Sequence, residues 1–221
     1  DAHQRIYARK ASLAACGIEV RGRSQRLRLN YRTTDLIRRW AVGVLEGIAV
    51  DDLNDSVESL RGYRSLIKGV RPDFVSYPTR SEEIAGLAAW VEKVRVDDPT
   101  LANTAILCRA ATALDAVEAA LSAQSIPYLR LRNNTPDDAV REGVRLATMH
   151  RAKGLEYAHV ALALLNSDEI PPRAAIKDAV DAAAKREVYE RERSLLHVAA
   201  TRAKRELRIS WYGDRSELVV D

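Results

Sequence analysis

Two cysteines in 221 residues already exclude several chemistries. Cys16 and Cys108 are too few and too far apart for a metal-binding motif or a disulfide framework. Cys108 follows the apolar run Ala105-Ile106-Leu107 and reads as a buried, reduced thiol. Long hydrophobic runs are missing too. No stretch reaches transmembrane length and none has the pattern of a secretory signal, so no membrane partner is expected and the cytoplasm is the default location. Charge of one sign is scarce: 35 lysines and arginines nearly cancel 31 aspartates and glutamates, leaving +4. That mildly basic balance is compatible with a polyanionic partner without identifying one. No G-x-x-x-x-G-K-[ST] stretch is present, so the phosphate-cradling loop of many nucleotide hydrolases is lacking, as is a carboxylate cluster suited to a metal. No internal repeat is evident. The chain opens on Asp1, and its one methionine is Met149; it reads as a piece of a longer protein.

What is present is alternation. Short apolar, strand-like runs fall at 27–29, 74–77, 104–108, 126–131, 144–149 and 160–165. Between them lie helical patterns. One starts at Thr33 or Thr34 and carries Leu36, Ile37, Trp40, Ala41, Val44 and Leu45 on one face, where Trp40 is a core residue rather than a base-stacking one. A second starts at Ser81 with Glu82 and Glu83, and a third covers 112–123. Residues 192–203 form an amphipathic helix with Leu195, Leu196, Val198, Ala199 and Ala203 as its apolar surface. Residues 51–72 read as an irregular surface connection, and the alanine-rich stretch 174–184 as a solvent-flanked helix. Strands alternating with helices of this length predict an α/β fold: a mostly parallel sheet with helices on both faces.

Two segments carry chemistry. Thr148-Met149-His150-Arg151-Ala152-Lys153-Gly154-Leu155-Glu156-Tyr157 puts an imidazole, two cations, a glycine and a carboxylate between two strands. Cations where a parallel strand ends suit a phosphate, because exposed backbone N–H groups add to their field. A carboxylate just past the glycine suits a ribose hydroxyl. The bland alternative is a solvated charged turn. In the second segment Arg202 follows the small-residue run Ala199-Ala200-Thr201. A planar, permanently charged donor in such a place suits a phosphoryl transition state; an ordinary surface arginine is the alternative.

Together these segments resemble the second RecA-like motor domain of the UvrD/Rep/PcrA group of superfamily 1 DNA helicases. Residues 148–157 look like that family's motif V and 192–203 like motif VI. Asn30-Tyr31-Arg32-Thr33-Thr34 looks like motif IV, and the opening Asp1-Ala2-His3-Gln4-Arg5-Ile6-Tyr7 like the end of motif III. The resemblance therefore runs through almost the whole chain, 1–221, as one motor domain of a longer protein. It implies an ATP-dependent helicase or translocase of the DNA-repair kind, working with ATP and Mg²⁺ on single-stranded DNA, with RNA left open. It implies that Gln4, Arg32 and Arg202 meet the γ-phosphate, Arg202 as the finger. Glu156 would meet the ribose, with Gly154 and Tyr7 beside the nucleotide. His150, Lys153 and, on its charge, Arg151 would hold the strand. The phosphate loop and Mg²⁺ ligands would sit in a first RecA-like domain outside this chain, and 1–221 alone would be inactive.

Two departures from the family pattern matter. Arg9 stands where relatives have a base-stacking tryptophan, and stacking is worth roughly 1–3 kcal/mol per base, although arginine also stacks. The large helical insertion of full-size relatives is replaced by a loop at 132–143. A competing reading is a nucleic-acid-binding or scaffold domain of a degenerate helicase subunit without ATP turnover.

Overall fold

The computed structural model describes residues 6, 29–30, 32–46, 64–132, 137–138 and 140–220. In chain order the elements are β1 (Leu29–Asn30), α1 (Asp35–Gly43), β2 (Arg64–Ser65), β3 (Asp73–Tyr77), α2 (Arg80–Val94), β4 (Thr104–Cys108), α3 (Ala111–Ala123), β5 (Tyr128–Arg130), β6 (Val144–Thr148), β7 (Tyr157–Leu162), α4 (Arg173–Asp178), α5 (Ala182–Ala200) and β8 (Ala203–Tyr212). Six strands form one sheet in the order β3-β8-β7-β4-β6-β5. Every pairing in it is parallel, so the expected mostly parallel sheet is wholly so. β1 and β2 pair separately, also in parallel.

Central strands covered on both faces must be apolar on both, and β4 is buried at all five positions. Its side chains alternate between two cores. Ala105 and Leu107 join the cluster that contains Ile37 and Trp40 of α1 and Leu195 to Ala200 of α5. Ile106 and Cys108 join the cluster that contains Leu87 and Val91 of α2 and Leu114 and Val117 of α3. Helices therefore cover both faces of the sheet. Cys108 is a free buried thiol, and burial raises its pKa above the ordinary value. Trp40 is a core residue: it is 7% exposed, its indole donates to the Val220 carbonyl at 2.7 Å, and it packs edge-on against Phe74 at 6.0 Å.

The helix starts differ from the sequence expectations in instructive ways. Thr34 is the N-cap of α1, but its side chain makes no capping bond; the Asp35 N–H donates to the Ile67 carbonyl instead. α2 begins a residue before Ser81, with Thr79 as its cap. The Thr79 hydroxyl accepts from the Glu82 N–H and donates to the Glu82 carboxylate, the N-cap half of a capping box. Glu83 turns inward and is fully buried. There its Oε1 accepts from the Leu164 N–H at 2.8 Å and the Ser210 hydroxyl at 2.6 Å.

Three expectations need correction. The alanine-rich stretch 174–184 is not one helix. α4 ends at Asp178, and Asp181 caps a new helix by accepting from the Ala184 N–H, because an aspartate oxygen competes well for an early helical N–H. Ala203 is not on the motif VI helix but opens β8. That ten-residue strand, absent from the sequence reading, lies second in the sheet and pairs with both β3 and β7. Within 51–72, Arg64–Ser65 is a short strand; residues 51–63 lie outside the described residues, as do parts of the 132–143 connection. Among the described residues no helix is long and apolar enough to cross a membrane.

Candidate functional site

The parallel sheet sets the geometry. All strand N-termini lie along one edge and all C-termini along the other. Glu156 immediately precedes β7 and Arg202 immediately precedes β8, and the Tyr157 N–H donates to the Arg202 carbonyl at 2.9 Å. Those two residues thus share the N-terminal edge. His150 follows the end of β6, and Arg109 follows the end of β4, on the C-terminal edge. The turn 149–156 crosses from one edge to the other, a rise of about 20 Å for a six-residue strand. The imidazole and the carboxylate that look adjacent in sequence are therefore carried to opposite edges of the sheet. Gly154, at φ +89°, gives the turn a left-handed step that a side chain disfavours; a Cβ there would meet nothing within 4 Å.

On the N-terminal edge, cations converge on one carboxylate. Arg32 Nε lies 2.5 Å from Glu156 Oε1 and Lys204 Nζ lies 3.2 Å from Glu156 Oε2. Arg32 and Lys204 are 57% and 46% exposed, against 23% for Glu156. Arg202 is the contrary case at 3% exposed. Its guanidinium donates to the Val198 carbonyl at 2.9 Å, the Leu155 carbonyl at 3.2 Å and the Thr201 hydroxyl at 3.1 Å. Burial lowers its pKa, Glu156 raises it and Arg32 lowers it further, which places all three charges in one cluster. Lys204 was not among the sequence candidates. It stands two residues past Arg202 on a strand the sequence did not reveal. Gln4 and Tyr7 lie outside the described residues.

On the C-terminal edge, Arg109 forms a two-pronged pair with Glu192 of α5, at 2.6 and 2.7 Å. Planar bidentate pairs of this kind are geometrically demanding, and this one ties the end of β4 to the motif VI helix. His150 is half-buried beside it. Desolvation lowers its pKa, the Arg109 charge lowers it further and Glu192 partly offsets both. Arg151 is held in the turn: its N–H donates to the Thr148 hydroxyl and its Nε to the Arg132 carbonyl. Lys153 is exposed. Among the described residues no group of three or more His, Cys, Asp or Glu could hold a metal.

Residues 129–214 match the model of the UvrD-like helicase C-terminal domain. The chain is therefore similar to a UvrD-like helicase C-terminal domain over those residues. The matched UvrD-like segment contains His150, Arg151, Lys153, Gly154, Glu156 and Arg202, while Arg32 lies before it. Over 88 residues the chain is 40% identical to "ATP-dependent DNA helicase UvrD2" of Mycobacterium bovis and of Mycobacterium tuberculosis. That stretch is 40% of this chain and 12% of those relatives' own length. Among solved structures, the C-terminal domain of a possible DNA helicase from Lactobacillus plantarum WCFS1 superposes with a TM-score of 0.58 at 20% identity. It covers 86% of this chain and 92% of that one. This likeness assigns the UvrD-like domain a helicase C-terminal, RecA-like fold.

Proposed function

We propose that residues 1–221 are the second motor domain of an ATP-dependent DNA helicase or translocase, forming one wall of an ATP cleft and part of a strand-binding edge. The observation that carries this reading is the convergence of Arg32, Lys204 and Arg202 around Glu156. One carboxylate among three cations leaves an excess of positive charge, two members of it exposed, which suits the polyphosphate of ATP. ATP with Mg²⁺ would supply the hydrolysable phosphoanhydride, and a first motor domain would supply the phosphate loop and the metal's carboxylates.

Within that cleft Arg32, with Gln4, would reach the γ-phosphate, and Glu156 would accept from the ribose hydroxyls, flanked by Gly154 and Tyr7. Arg202 is pre-set by its carbonyl partners, so it would stabilise developing charge with its remaining N–H donors at little reorganisation cost. His150, Lys153 and Arg151 would hold strand phosphates on the opposite edge. The turn 149–156 joins both edges, so closure at the nucleotide wall would be felt at the strand, the coupling a translocase needs. Work in the cytoplasm and in DNA repair fits this reading, as does the short 132–143 connection in place of a helical insertion.

A specific observation favours a second reading: Arg202 is tethered and Arg32 is paired with Glu156, as in a domain that binds nucleic acid without turning over ATP. One experiment separates them. Residues 1–221 alone should show no strand-stimulated ATPase, whereas the longer protein that contains them should. Turnover by the chain alone would overturn the shared-cleft reading, and none by either would support the scaffold.

A further inference from the structure

Four cations surround a cavity of about 490 Å³ on the C-terminal edge, beyond the ends of β7 and β8. An antiparallel bridge between Asn166 and Arg215 and the bond from the Ser167 N–H to the Asp214 carbonyl pin the two post-strand segments together. α4 and the start of α5 close the other side. Arg173 and Lys177 come from α4, Lys185 from α5 and Arg215 from the segment after β8. Three separate elements thus turn cations onto one space, unlike the scattered charge of a single solvated helix face. Lys177 and Lys185 make no ion pair among the described residues. Arg173 pairs with Asp168, and the Arg215 guanidinium lies 5.4 Å over the Trp211 ring.

The rest of the lining says what kind of anion fits. Ile170, Pro171 and Ile176 give the cavity an apolar part. Its one carboxylate, Glu217, accepts from the Tyr189 hydroxyl at 2.6 Å. We infer that this cavity docks an acidic peptide segment of a partner protein, one that pairs an apolar side chain with two or more carboxylates. A volume of this size takes a few residues, within the roughly 300–1,000 Å³ of ordinary ligand sites. The carboxylates meet Lys177, Lys185 and Arg215 while the apolar side chain fills the Ile170–Ile176 wall. A nucleic-acid strand is the poorer occupant for two reasons. A DNA backbone carries no donor for Glu217, whereas a peptide offers an N–H at each residue. Stacking of bases on aromatic faces would add to strand affinity, and the cavity's one aromatic lining residue, Tyr189, is already tied to Glu217. The cavity lies at the opposite end of β7 and β8 from Glu156 and Arg202, so the inference does not depend on the nucleotide-wall reading.

The test uses the 221-residue chain and a fluorescein-labelled octapeptide of alternating glutamate and leucine. Controls are the same peptide with glutamine for glutamate, one with serine for leucine, and an eight-nucleotide oligothymidylate. Anisotropy should show saturable binding of the first peptide alone, weakening with salt. The double charge reversal Lys177→Glu with Lys185→Glu should weaken it at least about tenfold, since like charges facing each other oppose association strongly. Lys93→Glu, exposed on α2, should leave it unchanged. Both reversed lysines are exposed; should that variant nevertheless lose its circular dichroism, Lys177→Gln with Lys185→Gln carries the same test. Trp211 fluorescence should shift as Arg215 engages the ligand. No saturable binding, or equal binding to the lysine variants and the parent chain, would overturn the inference. Oligothymidylate binding that displaces the peptide and is lost in the same variants would replace it with a strand site.

Discussion

Arg32 and Glu156 are joined to each other at 2.5 Å, although one is proposed for the γ-phosphate and the other for the ribose. A nucleotide entering this wall therefore has to separate them. Glu156→Gln should release Arg32 and Lys204, so inorganic tripolyphosphate should bind the longer protein more tightly. The gain should be at most about fivefold, because partly exposed pairs are worth about 0.2–1 kcal/mol. ATP should gain less, because a neutral amide oxygen accepts from the ribose hydroxyls more weakly than a carboxylate. Competition titration against a fluorescent nucleotide reads both, and equal gains for the two ligands would remove Glu156 from the ribose.

Arg202→Ala should do two things at once. Turnover should fall sharply while ATP binding changes little, because a finger acts where charge develops. The domain should also lose about 1–3 kcal/mol of stability, since the half-buried Leu155 carbonyl loses its guanidinium donor and the Val198 carbonyl keeps only the Thr201 hydroxyl;. Arg202→Lys should rescue neither well, lacking the planar fork. Steady-state ATPase with saturating single strand and urea unfolding of the 221-residue chain give the two readouts. A variant of full stability would contradict the tethered geometry.

Lys153→Ala should weaken single-strand binding to a similar degree across sequences, because a phosphate contact carries no base information. The log–log salt slope should become shallower by about 0.7 for one lost contact. An unaltered slope would return the 149–156 turn to a merely solvated one.

His150 supplies a pH dependence. Its pKa is lowered from 6.5, first by desolvation and then by Arg109, so it is neutral at pH 7. If it faces strand phosphates, affinity should rise as pH falls below 6.5, where protonation adds a positive charge. His150→Gln should abolish that rise. Anisotropy titrations at fixed ionic strength between pH 5 and about pH 8 check it, and an identical profile in the variant would detach His150 from the strand.

Glu83 supplies a second pH dependence, in stability and from a pKa shifted the other way. Burial raises its pKa from 4.5, only partly offset by the bonds from Ser210 and Leu164, and its Oε2 has no hydrogen-bond partner among the described residues. The folded state therefore holds its proton more tightly than the unfolded chain. That contribution to stability is complete below 4.5 and is lost as pH rises through the raised folded value. Glu83→Gln keeps an acceptor for Ser210 and Leu164 but cannot ionise, so its stability should fall less than the parent's across that window. Glu83→Ala should cost about 1–3 kcal/mol through two unsatisfied donors. Urea midpoints across the pH range decide, and parallel curves for parent and Gln variant would exclude ionisation at this site.

The central sheet was legible because β4 is a nearly unbroken apolar run, the mark of a strand buried on both faces, and β6 is apolar but for Arg145 and Thr148. β8 was not, because Lys204, Arg205, Glu206 and Arg208 break its apolar pattern and no glycine or proline separates it from the helix before it. Those charges are accommodated at the sheet's margin: Glu206 binds His159 at 2.8 Å and the Trp90 indole at 3.0 Å, and Arg208 binds Asp73 at 2.9 Å. Losing β8 meant losing Lys204. The 148–157 and 192–202 segments announced their chemistry through residue type, but not their placement. Only the strand register shows that His150 and Glu156 stand at opposite edges, and nothing in the spacing of Arg202 foretold that its guanidinium is tied to backbone carbonyls.

Arg145 of β6 is wholly buried, and its guanidinium is satisfied by the chain segment just before it: the Asp137 carboxylate at 3.1 Å, the Gly143 carbonyl at 2.7 Å and the Asp138 carbonyl. The same Asp137 accepts from the Tyr157 hydroxyl at 2.9 Å, and Tyr157 is the neighbour of Glu156. The connection between β5 and β6 is thus rigged to the nucleotide wall like a tie-rod. A load applied to residues 137–143, whether from a longer insertion or from a bound partner, has to strand a buried guanidinium or drag Tyr157 with it. Leverage at this connection would be delivered along that same N-terminal edge of the sheet, where Arg32, Lys204 and Glu156 meet.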